Sequence, residues 1–93
     1  MLYRKRGLRL VTYKISIDKK AQKFILKQPK SKQNLIYKSI YNLPSGDTRP
    51  LEGHKGLNRL RVGDYRIIYT IDNGELIVCV VDAGNRGDIY KRY

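Results

Sequence analysis

The sequence predicts an α+β domain: an N-terminal strand, a helical hairpin, then a three-stranded antiparallel meander that completes a four-stranded sheet with both helices on one face. Three observations predict it. "VTYKISI" (11–17) alternates Tyr13, Ile15 and Ile17 with polar residues, the period of a half-buried strand. Residues 18–43 carry apolar side chains at helical spacing in two blocks separated by Pro29. Beyond "PSGDTRPLEGHKG" (44–56), which is dense in Pro and Gly and reads as a loop, the period returns to two over 57–62, 65–71 and 75–82.

Each element has a local cause. Asp18 suits an N-cap for "KKAQKFILK", whose Ala21, Phe24, Ile25 and Gln28 form one stripe. Pro29 ends that helix and can begin the next, in which Leu35, Ile36, Ser39, Ile40 and Leu43 share a face. Gly63 opens the two-residue turn of "VGDY", the signature of a type II′ hairpin, and "DNGE" carries the Asn-Gly signal of type I′. Those turns imply a register. Val62 falls opposite Tyr65, Arg61 opposite Arg66 and Arg59 opposite Ile68; Asp72 falls opposite Glu75, Tyr69 opposite Val78, Ile67 opposite Val80 and Arg66 opposite Val81. One face then holds Leu60, Val62, Tyr65, Ile67, Tyr69, Ile71, Leu76, Val78 and Val80, enough to receive two helices. The other face holds Arg59, Arg61 and Arg66, and "DAGNRGDIY" returns toward them with Arg86 and Tyr90.

Ninety-three residues suffice for one modest core. We read residues 1–10 as a basic extension and 11–93 as a single domain. The net charge of +12 points to a polyanionic partner, and it is unevenly placed. Residues 1–50 hold 13 Lys and Arg against 2 Asp and Glu, whereas 51–93 hold 7 against 6. A single cysteine, Cys79, excludes an internal disulfide framework and fits a reducing, cytoplasmic compartment. With only one histidine, His54, no ordinary zinc constellation can form, so neither a metal nor a small-molecule cofactor is expected. No signal peptide or membrane span is apparent.

Like charges opposite one another on a sheet are destabilising unless an anion lies between them, so Arg59, Arg61, Arg66 and Arg86 suggest a phosphate site. A guanidinium fork neutralises anionic charge but is a poor base, which leaves Tyr90 as the residue there able to handle a proton. Lys19, Lys20, Lys23, Lys27, Lys30, Lys32 and Lys38 fall on the outer faces of the helices, either as a solubilising surface or as a salt-sensitive track for RNA. His54, in "EGHKG", lies one strand from the arginines and is compatible with a catalytic role, with RNA contact or with a structural or solvated role.

The lysine-rich hairpin, "LEGHKGLNRLRVGDYRIIYTID" and the closing "VVDAGNRGDIY" together resemble the RelE/ParE superfamily of bacterial and archaeal toxins, over residues 12–93. The resemblance implies a fold related to small microbial ribonucleases and a cognate acidic, RelB-like antitoxin. It also implies one of two activities: ribosome-dependent cleavage of mRNA in the RelE branch, or inhibition of DNA gyrase without nuclease chemistry in the ParE branch. Convergence of Arg86 and Tyr90 on the arginines favours the first, a metal-independent endoribonuclease with the ribosome and mRNA as partners and the lysines on ribosomal RNA. By position, Arg59 stands where RelE-like toxins often have a catalytic lysine, and Arg61, Arg66, Arg86 and Tyr90 match active-face positions. Leu57 stands where some members have a second lysine and Asn85 where many have histidine, which leaves the proton acceptor open.

Overall fold

The structure, a computed structural model, describes residues 13–93. The basic extension of residues 1–10 and the first two residues of the "VTYKISI" strand lie outside the described residues. In chain order the elements are β1 (Lys14–Ile17), α1 (Lys19–Leu26), α2 (Lys30–Tyr41), β2 (Thr48–Pro50), β3 (Asn58–Val62), β4 (Tyr65–Asp72), β5 (Ile77–Asn85) and α3 (Arg86–Arg92). The sheet order is β1-β5-β4-β3-β2, with β1 parallel to β5 and every other pair antiparallel.

The expected α+β architecture is present, and two short elements add to it. The loop expected over 44–56 contains β2, which extends the sheet to five strands, and the C-terminal segment winds into α3. Pro50 is tolerated in β2 because the strand is an edge, where a missing N–H costs no ladder bond. Asp18 does stand at the N-cap of α1, though its side chain makes no capping bond. Pro29 separates the helices as expected, and its carbonyl accepts from Lys32 N and Gln33 N at 2.9 Å each.

The inner face of the sheet carries the main core. Ala21, Ile25, Ile36, Ile40 and Leu43 from the helical hairpin close over Leu60, Val62, Ile67, Tyr69, Val78, Val80 and Ala83. Each fully buried aliphatic side chain contributes about 1.5–3 kcal/mol relative to exposure, so this layer dominates the stability. Phe24 meets Tyr65 edge-on at 5.8 Å. Leu35, expected on the buried stripe of α2, is exposed instead, because Ile36, Ile40 and Leu43 already fill the face turned to the sheet.

The register between β3 and β4 is the expected one, from Val62 opposite Tyr65 to Arg59 opposite Ile68, and Gly63 has the positive φ of 58° that its turn requires. That between β4 and β5 is not. Asp72 pairs with Ile77, Tyr69 with Val80, Ile67 with Ala83 and Arg66 with Gly84. The Asn73-Gly74 turn fails because the Asp72 side chain accepts from Glu75 N at 3.0 Å and holds a four-residue loop. Leu76, not Asn73 or Gly74, takes the left-handed conformation, at φ 57°, and it is exposed, not in the core.

A bulge then adds a further shift: Ile68 faces Asp82 while Tyr69 faces Val80, leaving Val81 as the extra residue. The extra residue reverses the alternation of β5. Ala83 therefore enters the inner core and Asp82 turns to the outer face, under α3. There Leu51, Ile68 and Ile89 form a second, smaller apolar cluster. Gly84 permits the close approach of α3, since a Cβ at that position would stand 3.0 Å from the Ile89 side chain.

Candidate active site

The outer face is organised as rows across the strands. One row places Arg49 of β2 opposite Arg59 of β3, Arg59 opposite Ile68 of β4 and Ile68 opposite Asp82 of β5. The next places Arg61 opposite Arg66 and Arg66 opposite Gly84. Arg86 N donates to Asp64 O at 2.8 Å, so α3 begins beside the turn that Arg61 and Arg66 flank. Tyr90, four residues later, lies on the same side of α3 as Arg86.

The arginines are held differently. Arg66 is only 6% exposed, and its Nη1 donates to the carbonyls of Gly63 at 2.8 Å and Tyr65 at 2.9 Å, which fixes the guanidinium against its own turn. Its buried Nε has no hydrogen-bond partner among the described residues. Arg59 and Arg61 share one carboxylate, that of Asp47, at 3.8 and 3.9 Å. Arg61 N also donates to Asp47 O at 2.9 Å. Asp47, an acid in the segment expected to be plain loop, thus offsets one arginine of each facing pair, Arg59 of Arg49–Arg59 and Arg61 of Arg61–Arg66. Arg86 is exposed, and no hydrogen bond or ion pair engages its side chain among the described residues.

Arg59 and Tyr90 come together in a cleft of about 410 Å³ that Arg49, Leu51, Glu52 and Tyr93 also line. This size admits a nucleotide. Tyr90 is 47% exposed there, a phenol open to a ligand.

Beneath α3 lies a buried carboxylate that pins the C-terminus. Asp82, 1% exposed, accepts from Ala83 N at 2.8 Å, from Arg92 Nε and Nη2 at 3.2 Å each and from Tyr93 Oη at 3.0 Å. Burial pushes its carboxyl group up, but the Arg92 guanidinium, the Ala83 N–H and the Tyr93 hydroxyl together hold it below its ordinary value. Tyr93 is pushed the other way, first by burial and then by the Asp82 charge. His54 completes the anchor: its Nε2 lies 2.9 Å from Tyr93 O, and its ring meets that of Tyr93 edge-on.

Arg59, Arg61, Arg66, Arg86 and Tyr90 are therefore gathered on one face. Arg61, Arg66 and Arg86 surround the Gly63–Asp64 turn, and Arg59 and Tyr90 share the cleft. His54 is turned to the C-terminal anchor, and Tyr93 has its hydroxyl committed to Asp82. Lys19, Lys20, Lys23, Lys27, Lys30, Lys32 and Lys38 are all exposed on the hairpin, with Lys20 Nζ 3.7 Å from Asp82. Sequence reasoning missed Arg49, Asp47, Glu52, Asp82 and Arg92. The run "DTRP" held a usable signal, a β-branched residue and an arginine before an edge-compatible proline, but its partner strand lies ten residues away. Nothing local marks Asp82.

Comparison with known proteins identifies the family and the fold. The family description "ParE toxin of type II toxin-antitoxin system, parDE" matches residues 15–90. A chain of the archaeal RelE–RelB complex from Pyrococcus horikoshii OT3 is 28% identical, with a TM-score of 0.67 over 82% of this chain and 97% of that one. A chain of the RelBE2 toxin–antitoxin complex from Mycobacterium tuberculosis is 22% identical, with a TM-score of 0.70 over 82% and 100%. The isolated RelE toxin of E. coli, 18% identical, superposes with a TM-score of 0.65 over 87% and 94%, and shares the fold. No curated protein matches the sequence significantly. A match over nearly the whole described chain, on this fold, shows that it belongs to the ParE toxin family of type II toxin-antitoxin systems, within the RelE/ParE superfamily.

Proposed function

We propose that this toxin is an endoribonuclease that cleaves messenger RNA on the ribosome, by attack of a 2′-hydroxyl on the adjacent phosphodiester. The observation that carries the reading is the meeting of Arg59 and Tyr90 in one cleft, beside the Arg61–Arg66–Arg86 group at the turn. Stabilising a dianionic phosphorane calls for several preorganised cations, and an arginine locked on its own turn costs no reorganisation when charge develops. Arg66 and Arg86 hold the scissile phosphate, Arg61 and Arg59 neutralise its oxygens and Tyr90 handles a proton or positions the base. The exposed lysines of α1 and α2 provide a sequence-independent, salt-sensitive contact to ribosomal RNA.

A cognate acidic antitoxin is the natural partner of so basic a chain, and the solved relatives from Pyrococcus horikoshii and Mycobacterium tuberculosis are toxin–antitoxin complexes. Cell-free translation followed by primer extension tests the activity. Cuts within translated codons, absent when translation is blocked, are expected. The ParE description favours a second reading, a gyrase inhibitor that cuts nothing. Inhibition of gyrase supercoiling by the purified toxin, without RNA cuts in translation, would replace the nuclease reading with that one.

A further inference from the structure

We propose that Glu52 is the group that takes the proton from the attacking 2′-hydroxyl, an inference that rests on the nuclease reading above and supplies its missing base. Glu52 is the one carboxylate among the residues lining the cleft of Arg59 and Tyr90. The other groups that could accept a proton are committed elsewhere or lie outside the lining of the cleft. Asp47 is shared between Arg59 and Arg61, and Asp64, in the turn, is not among the residues lining this cleft. Tyr93 donates its hydroxyl to Asp82, and His54, whose Nε2 lies 2.9 Å from the Tyr93 carbonyl, is not among the residues lining the cleft. Guanidinium groups are unsuited to the task. Glu52, by contrast, is exposed and enters no hydrogen bond or ion pair among the described residues.

Its backbone is nonetheless held. Leu51, its neighbour, is buried with Ile68 and Ile89 under α3. Leu51 N donates to Leu57 O at 2.8 Å, and Leu51 O accepts from His54 N at 3.1 Å. A free carboxylate on an anchored segment, lining one cleft with Arg49, Arg59 and the Tyr90 phenol, is an arrangement for acid–base work.

The step balances as follows. Glu52 takes the proton as the 2′-oxygen bonds to phosphorus, the P–O5′ bond breaks with its electron pair on O5′, and Tyr90 Oη delivers a proton to that oxygen. The products are a 2′,3′-cyclic phosphate and a 5′-hydroxyl. Water then takes the proton from Glu52 and returns one to Tyr90. The cleft thus divides the labour: the carboxylate accepts, the phenol donates and the arginines carry the charge.

Single-turnover cleavage of mRNA on programmed ribosomes by the full chain tests the assignment, with thermal melting as a control on the fold. E52Q is expected to cut 100-fold more slowly or worse, within the range typical of a lost acid–base group, at an unchanged half-saturating toxin concentration. E52D should recover part of that loss. A message with sulfur in place of the bridging O5′ at the cut site has a leaving group that needs no proton, so it should rescue Tyr90→Phe and leave E52Q slow. The assignment of Glu52 is overturned if E52Q cuts at the wild-type rate, if it changes only the half-saturating concentration, or if the sulfur substrate rescues it. A wild-type chain that cuts nothing overturns the nuclease reading itself and this inference with it.

Discussion

On the inner face of the sheet, Leu60, Val62, Ile67, Tyr69, Val78 and Val80 are sealed under α1 and α2, whereas on the outer face the same strands present Arg59, Arg61 and Arg66 around a small apolar cluster of Leu51, Ile68 and Ile89. Alternation along a strand separates the two jobs residue by residue. The inner face stabilises the sheet by burying apolar surface. The outer face can then carry charge that would be intolerable in a core, because it contributes little to holding the strands together. If that division is right, inner-face substitutions should change stability first, and substitutions of the exposed Arg61 and Arg86 should change activity while leaving the fold.

The largest effect is expected from Ile67→Ala. Ile67 is fully buried between the sheet and the helices, and truncation there should cost about 2–5 kcal/mol, read as a lower urea midpoint at unchanged slope. A loss below about 1 kcal/mol would show that the inner face is not the principal core. Next comes Arg86→Ala. This side chain is exposed and unengaged among the described residues, so the melting temperature should stay within a degree or two. Cleavage should fall by about 10²–10³, the effect of removing one donor to a developing oxyanion. Wild-type cleavage by the variant would remove Arg86 from the site.

Asp82→Asn probes the border between the two regimes. Asp82 is buried on the outer face, and Arg92 is half exposed, so the loss should be about 1–3 kcal/mol, less than for a fully buried pair. The pH dependence has a definite sign. The folded-state pKa of Asp82 is lowered, so its contribution is present above the ordinary value of 3.8 and is lost as pH falls through the lower folded value. That of Tyr93 is raised, so its contribution is present below 10.0 and is lost as pH rises through the higher folded value. The anchor of α3 should therefore loosen at both extremes. Urea midpoints across pH should show the acid limb in the wild type and a flatter one in Asp82→Asn; identical limbs would show that the anchor contributes nothing.

The inner face was largely legible because its signals are local: periodic strands, two helical stripes and a glycine at the first turn. Arg59, Arg61 and Arg66 were placed on the opposite face by the same arithmetic. The arithmetic failed where long-range contacts or a side chain intervened. Asp72 replaced the Asn-Gly turn with a longer loop, and the bulge at Val81 reversed the alternation that would have put Asp82 inward. β2 spans three residues and exists only through its pairing with β3, while α3 has one buried residue, Ile89, too few to leave a periodic mark. Arg49 and Glu52, which line the cleft, and Asp47, which pairs with Arg59 and Arg61, belong to that tertiary layer and are seen only in the folded chain.

Asp47→Asn should have the smallest effect on stability and tests the outer face most directly. Its contacts to Arg59 and Arg61 are long and Asp47 is half exposed, so the pairs should be worth less than about 1 kcal/mol. Their consequence lies in binding. While Asp47 partly neutralises both guanidinium groups, a phosphate must displace a carboxylate to reach them. The amide keeps the shape and removes the competing charge. Affinity for single-stranded RNA should rise several-fold, and its salt dependence should steepen, by about 0.7 in the logarithmic slope for each arginine newly engaged with phosphate. Tighter binding without faster cleavage would mean that Asp47 also orients the two forks for the transition state. An unchanged slope would mean that Arg59 and Arg61 do not meet the phosphate at all, and the charge on the outer face would then need a different partner.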